Sequence, residues 1–121
     1  MGSFPNPQIG GTTPNGAPRK ELRYTFAATA EIVDSSSTVR LSGRVSEISR
    51  KGCYVESLNT LPVGTILNMQ ILRDQRTFTI RGRIIYVHEK FGMGVVFVDP
   101  PEDQLRILDG WLADLPPVVT R

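Results

Sequence analysis

One cysteine, one histidine and one tryptophan in 121 residues leave this chain short of the side chains that covalent and metal chemistry use. With Cys53 alone, no intramolecular disulfide and no cysteine-built zinc site can form. His88 stands in a predicted turn beside Glu89 and Lys90, which reads as a solvated position. A hydrolytic site needs a nucleophile, a base and an orienting group brought together, and these residues do not supply one. No Walker-type loop or dinucleotide fingerprint is present. The chain is therefore expected to bind rather than catalyse. Long apolar runs are also missing, none nearing the ~18 residues that a membrane-spanning helix requires, so no membrane insertion is expected. The N-terminus has neither a basic start nor an apolar stretch of signal-peptide type, and with the lone cysteine this predicts a cytoplasmic setting. Aromatic residues make up only 7% of the chain, and no dense Lys/Arg stripe is interleaved with them, which argues against nucleic acid as the partner.

The charge that is present is unevenly placed. Residues 1–18 carry none, residues 19–98 hold twelve Lys/Arg against seven Asp/Glu, and residues 99–121 hold two against five. A basic body with an acidic C-terminal segment suits a small anionic ligand better than a long polyanion.

Residues 1–18 are rich in Gly, Pro, Asn and Thr and bury too little apolar surface to offset ordering, which predicts a flexible tail. From Arg23 the texture changes. Tyr24, Phe26, Ala28, Ala30 and Ile32 alternate with their neighbours at the period of a strand. Asp34-Ser35-Ser36-Ser37 turns the chain into a second strand over 38–49, where Val39, Leu41 and Val45 share a parity that Ile48 breaks. That break predicts a bulge near Ser46-Glu47. Further strands are expected over 53–57, 66–72, 77–87 and 93–98, with Phe78, Ile80, Ile84 and Tyr86 on one face of the fifth. Cys53, alternating with Val55, reads as a small core residue. Six short strands with turn residues between them argue for an antiparallel barrel or sandwich.

After the strands, Asp99-Pro100-Pro101-Glu102 reads as a helix start, with a capping residue, prolines and an acid. Leu105, Leu108, Leu112 and Leu115, with Trp111, then recur at helical spacing for about four turns, until Pro116-Pro117. Gly110 is the weak point of this helix.

Two clusters have the chemistry of a binding site. Arg19 and Arg23 lie four residues apart where the tail meets the first strand. Each guanidinium offers paired donors to phosphate oxygens and a flat face for a base. Glu47-Ile48-Ser49-Arg50-Lys51-Gly52 ends a strand in a turn. There a carboxylate and a hydroxyl offer acceptors to a guanine edge, Gly52 permits close approach, and Arg50 and Lys51 add positive charge.

In this order and separation the two clusters resemble the PilZ domain, a bacterial receptor module for cyclic di-GMP. That family carries R-x-x-x-R on its N-terminal loop, then Asp or Asn, one residue, Ser, two residues and Gly. Arg19 and Arg23 match the first, and Ser49 and Gly52 match the second, with Glu47 in place of Asp or Asn. Phe91-Gly92-Met93-Gly94-Val95-Val96-Phe97 also resembles the family's last strand, G-x-G-V-x-F. The resemblance spans about residues 19–115. It implies a mainly β fold, a six-stranded antiparallel β-barrel with a C-terminal α-helix, as one domain over 19–116 with a short tail over 117–121. It further implies cyclic di-GMP as ligand with no other cofactor, held by Arg19, Arg23, Glu47, Ser49, Arg50 and Gly52. The N-terminal arginine loop would become ordered over the barrel as the ligand binds. A monomer acting on a separate effector protein is expected. The alternative is a PilZ-like module that has lost the nucleotide and works only through protein contacts.

Overall fold

The computed structural model describes residues 24–115. The predicted tail, Arg19, Arg23 and Pro116-Pro117 lie outside that range. Six strands form in chain order: β1 Tyr24–Asp34, β2 Arg40–Ile48, β3 Gly52–Glu56, β4 Ile66–Arg73, β5 Arg76–His88 and β6 Gly92–Val98. They are followed by one helix, α1 Glu102–Ala113. Each predicted strand is present, with ends moved by a residue or two. β1–β2–β3 and β4–β5–β6 are two antiparallel meanders. They join through β3 with β6 and β1 with β4 to close a barrel. Closure leaves no long edge open to another chain.

Alternation decides which side chains fill the barrel. Phe26, Ala30 and Ile32 of β1, Leu67, Met69 and Ile71 of β4, and Phe78, Ile80 and Ile84 of β5 are all buried. They form one core with Cys53 and Val55 of β3 and Met93 and Val95 of β6. Cys53 is fully enclosed, and that burial pushes its thiol far above the usual range, as expected of a core residue. The expected bulge in β2 lies between Val45 and Glu47, and it turns Ile48 back into the core. Asp74 and Gln75, with φ of 52° and 67°, make the two-residue turn joining the paired Arg73 and Arg76. Two successive left-handed residues match the twist of the strands they connect.

β5 departs from the sequence reading. Its register shifts between Ile84 and Tyr86. Tyr86 therefore leaves the face of Phe78, Ile80 and Ile84 and stacks on Tyr54, which alternates with the buried Cys53 and Val55 and so points outward. His88 is also not a turn residue: it is the last residue of β5, its ring against both tyrosines.

α1 is a 12-residue helix, shorter than the expected four turns. Its N-cap is Pro101, with no side-chain cap bond. Asp99 does not cap it and instead takes a φ of 45°. Gly110 does not interrupt the helix. Leu108 and Trp111 are its buried residues, and the Trp111 ring lies 5.5 Å from Phe26 and 6.3 Å from Phe78, centroid to centroid. β6 pairs with β5 only from Arg81 onward, so the first part of β5 has a side without a strand. There the Thr79 N–H donates to Gln104 Oε1 of α1 at 2.7 Å. A helix side chain thus supplies an acceptor that the sheet does not.

Candidate functional site

The β2–β3 connection is a turn closed by backbone and hydroxyl hydrogen bonds. Ile48 and Cys53 form its last strand pair, and the Ser49 N–H donates to the Gly52 carbonyl at 2.8 Å. Ser49 is the one fully buried polar residue of the described chain. Its Oγ accepts the Lys51 N–H at 3.1 Å and the Gly52 N–H at 3.2 Å, and lies 3.4 Å from the Gly52 carbonyl. The hydroxyl therefore satisfies two backbone donors that the turn would otherwise leave buried.

Gly52 is required for a different reason. A Cβ built on it would stand 2.2 Å from the Val95 carbonyl oxygen across the sheet. Gly52 pairs with Val96, and the Phe97 N–H donates to the Lys51 carbonyl at 2.8 Å, so β6 grips this turn along its length. The spacing of Ser49 and Gly52 thus has a folding role as well as any binding role.

The charged residues of the turn are held differently. Arg50 is exposed and donates from Nε to Asp109 Oδ1 at 2.8 Å and from Nη2 to Asp109 Oδ2 at 3.1 Å. This fork-to-fork pair ties the turn to α1. The hydrogen bond and the opposite charge raise the Arg50 pKa above its ordinary value, and the same hydrogen bond lowers that of Asp109. Arg50, which the family resemblance implies as a ligand group, has its guanidinium engaged by the helix in this structure. Glu47 is half-buried beside the bulge, opposite Thr25 on β1 and Tyr54 on β3.

Register also aligns groups that the sequence reading did not connect. Glu47 pairs with Tyr54, Tyr54 with Gly94, and Gly94 with Tyr86. The Tyr54 and Tyr86 rings stack with centroids 6.1 Å apart, and a Cβ on Gly94 would fall 2.4 Å from Tyr86. Gly94 is therefore the floor on which an aromatic pair rests beside Glu47. The Tyr54 hydroxyl lies 3.1 Å from His88 Nδ1. Burial raises the Tyr54 pKa, and the negative charges of Glu56 and Glu47 raise it further. Two signals for this row stood in the sequence: a tyrosine between two core positions, and a glycine alternating with Met93.

Arg19 and Arg23 lie outside the described residues, but the start of β1 is well placed. Tyr24, the first described residue, pairs with Ile48, next to Ser49.

A family model for the PilZ domain matches residues 17–114, most of the chain. The chain belongs to the PilZ domain family. Among solved structures, the PilZ domain of YcgR from Escherichia coli with c-di-GMP is similar at a TM-score of 0.68 and 13% identity. That match covers 82% of this chain and 92% of that one. The PilZ domain of CeSA from a cellulose-synthesizing bacterium is similar at 0.60 and 17%, over 74% and 97% of the two chains. The Bacillus subtilis inhibitor of motility MotI/DgrA is similar at 0.63 and 14%, over 81% of this chain and 53% of that one. At these identities the likeness is one of fold. No curated protein sequence matches the chain. In this PilZ domain the β2–β3 hairpin carries Ser49 and Gly52, and β6 carries Gly92 and Gly94. No described helix is long and apolar enough to cross a membrane.

Proposed function

We propose that this PilZ domain is a receptor for cyclic di-GMP, bound where β1 enters the barrel beside the β2–β3 turn. PilZ domains are receptor and adaptor modules rather than enzymes, and the similar YcgR domain carries c-di-GMP. The observation that supports the reading most directly is the pairing of Tyr24 with Ile48. Arg23 is bonded to Tyr24, and successive Cα atoms are about 3.8 Å apart. The strand register thus sets Tyr24, the residue that follows the arginine motif, beside the serine–glycine turn, although the two lie more than twenty residues apart in sequence.

On this reading Arg19 and Arg23 take the phosphates, and their segment becomes ordered over the barrel as they do. Glu47 and Ser49 face the guanine edge, and Gly52 keeps the wall low enough for close approach. Glutamate in place of the family's Asp or Asn carries its carboxylate one bond, about 1.5 Å, further out. Calorimetry tests this. Wild type is expected to bind cyclic di-GMP, and Arg19→Ala and Arg23→Ala to bind about ten- to a hundredfold more weakly, since a charge-assisted bond contributes roughly 1.5–3 kcal/mol. Glu47→Asp is expected to bind at least as tightly as wild type. No heat from either wild type or Glu47→Asp would overturn the receptor reading.

One observation favours the second reading, a module that works through protein contacts alone. Arg50 is already paired with Asp109, and the Ser49 hydroxyl already serves the turn, so this hairpin is well satisfied without a nucleotide.

A further inference from the structure

At the opposite end of the β2–β3 hairpin from the Ser49–Gly52 turn, the surface changes character. Leu58 and Phe91 are 79% and 73% exposed, the former in the loop after β3 and the latter in the β5–β6 turn. They line one groove of about 550 Å³ with Tyr54, Arg44, Glu56 and Lys90. Leu58 and Phe91 thus share one open surface with Tyr54.

Both are presented on fixed backbone. The Phe91 N–H donates to the His88 carbonyl at 2.9 Å, and the Phe91 carbonyl accepts the Ser57 N–H at 3.0 Å. The Asn59 N–H donates to Ser57 Oγ at 3.2 Å, so the residues on both sides of Leu58 are tied. Lys90 holds a left-handed φ of 69° just before Phe91. Side chains carried on ordered backbone lose less freedom when a partner covers them.

The charge of the rim selects among partners. Arg44 and Lys90 flank the apolar pair, with one carboxylate, Glu56, paired across the strands from Arg44. The ion pairs among the described residues, Arg50 with Asp109 and Arg73 with Asp74, involve neither cation. An apolar centre with a net positive rim complements a segment that has an apolar anchor beside carboxylates. Two cations are too few to follow a nucleic-acid backbone.

We propose that this groove is a docking site for a partner protein, which inserts a short segment bearing an aromatic or leucine anchor flanked by Asp or Glu. The site is separate from the nucleotide turn and does not depend on nucleotide binding.

The test uses a random peptide library displayed on phage and selected against the immobilised full chain. The expected consensus is an apolar anchor with adjacent acids. A synthetic, fluorescently labelled peptide of that consensus should bind wild type saturably and bind Phe91→Ser at least tenfold more weakly. Because Phe91 is mostly exposed, that substitution leaves the core intact. The double variant Arg44→Glu, Lys90→Glu should lose the acidic peptide and, used as bait, select basic-flanked anchors instead. Four results would each overturn the proposal. These are no enriched consensus, a consensus without acids, a peptide that binds Phe91→Ser as tightly as wild type, and single-stranded oligonucleotides outcompeting every peptide. A self-association seen by sedimentation and abolished in Phe91→Ser would overturn it as well, by making a second copy the occupant.

Discussion

Gly52 is fixed by what lies across the sheet rather than by its own backbone angle. Because the atom a Cβ would meet is the Val95 carbonyl oxygen, no side-chain rotation relieves the overlap, and β3 or β6 has to move. Gly52→Ala is therefore expected to destabilise the domain by roughly 1–3 kcal/mol, the range for overpacking a tight site. Urea unfolding measures it, and a change under about 0.5 kcal/mol would contradict this packing. The result also sets how binding data are read. Lost affinity in a Gly52 or Ser49 variant mixes folding with recognition. The segment from Glu47 to Gly52 was legible in the sequence as a candidate site. The steric demand at Gly52 was not, because the clash involves a carbonyl more than forty residues away.

At the scale of elements, α1 is held by a buried face and an exposed ion pair. Leu108 is fully buried and Trp111 packs on Phe26 and Phe78. Leu108→Ala is expected to cost about 2–5 kcal/mol, measured by denaturant unfolding, and a loss below about 0.5 kcal/mol would place the helix face in solvent. The Arg50–Asp109 pair should add a small, pH-dependent increment, since both side chains are about half exposed. The folded Asp109 pKa is depressed, so this increment is complete above the ordinary carboxylate value of about 4 and disappears as pH falls through the folded value. In thermal unfolding from pH 6 to pH 2, the advantage of wild type over Asp109→Asn should shrink below about pH 4. A constant gap would contradict the pairing. Strand parity made the β2 bulge readable, since Ile48 broke a clear alternation. The β5 bulge was hidden because Ile84, Ile85, Tyr86 and Val87 are all apolar or aromatic and offer no alternation to break. The ion pair joins residues 59 apart, so no local pattern announced it.

For the molecule as a whole, the closed barrel brings three consequences of one strand order together. Closure of β3 on β6 grips the β2–β3 turn, pairing of β1 with β2 sets Tyr24 beside that turn, and β6 continues into the helix that holds Arg50. The six strands and the helix followed from periodicity and turn chemistry. Their joining into two meanders closed on each other was reached from the family resemblance, since strand spacing alone left a sandwich equally open. Glu47, Tyr54, Gly94 and Tyr86 became one row only through register. The central claim is that the β1 entry and the β2–β3 turn form one nucleotide site. It is tested most directly by titrating the isotopically labelled full chain with cyclic di-GMP and following backbone amide shifts. The account predicts saturable shifts at Arg23, Tyr24, Glu47, Ser49 and Gly52 with one common affinity, while Leu58 and Asn59 at the far end of the hairpin stay in place. Amides at Tyr24, Ser49 and Gly52 that do not move at saturating nucleotide would contradict it.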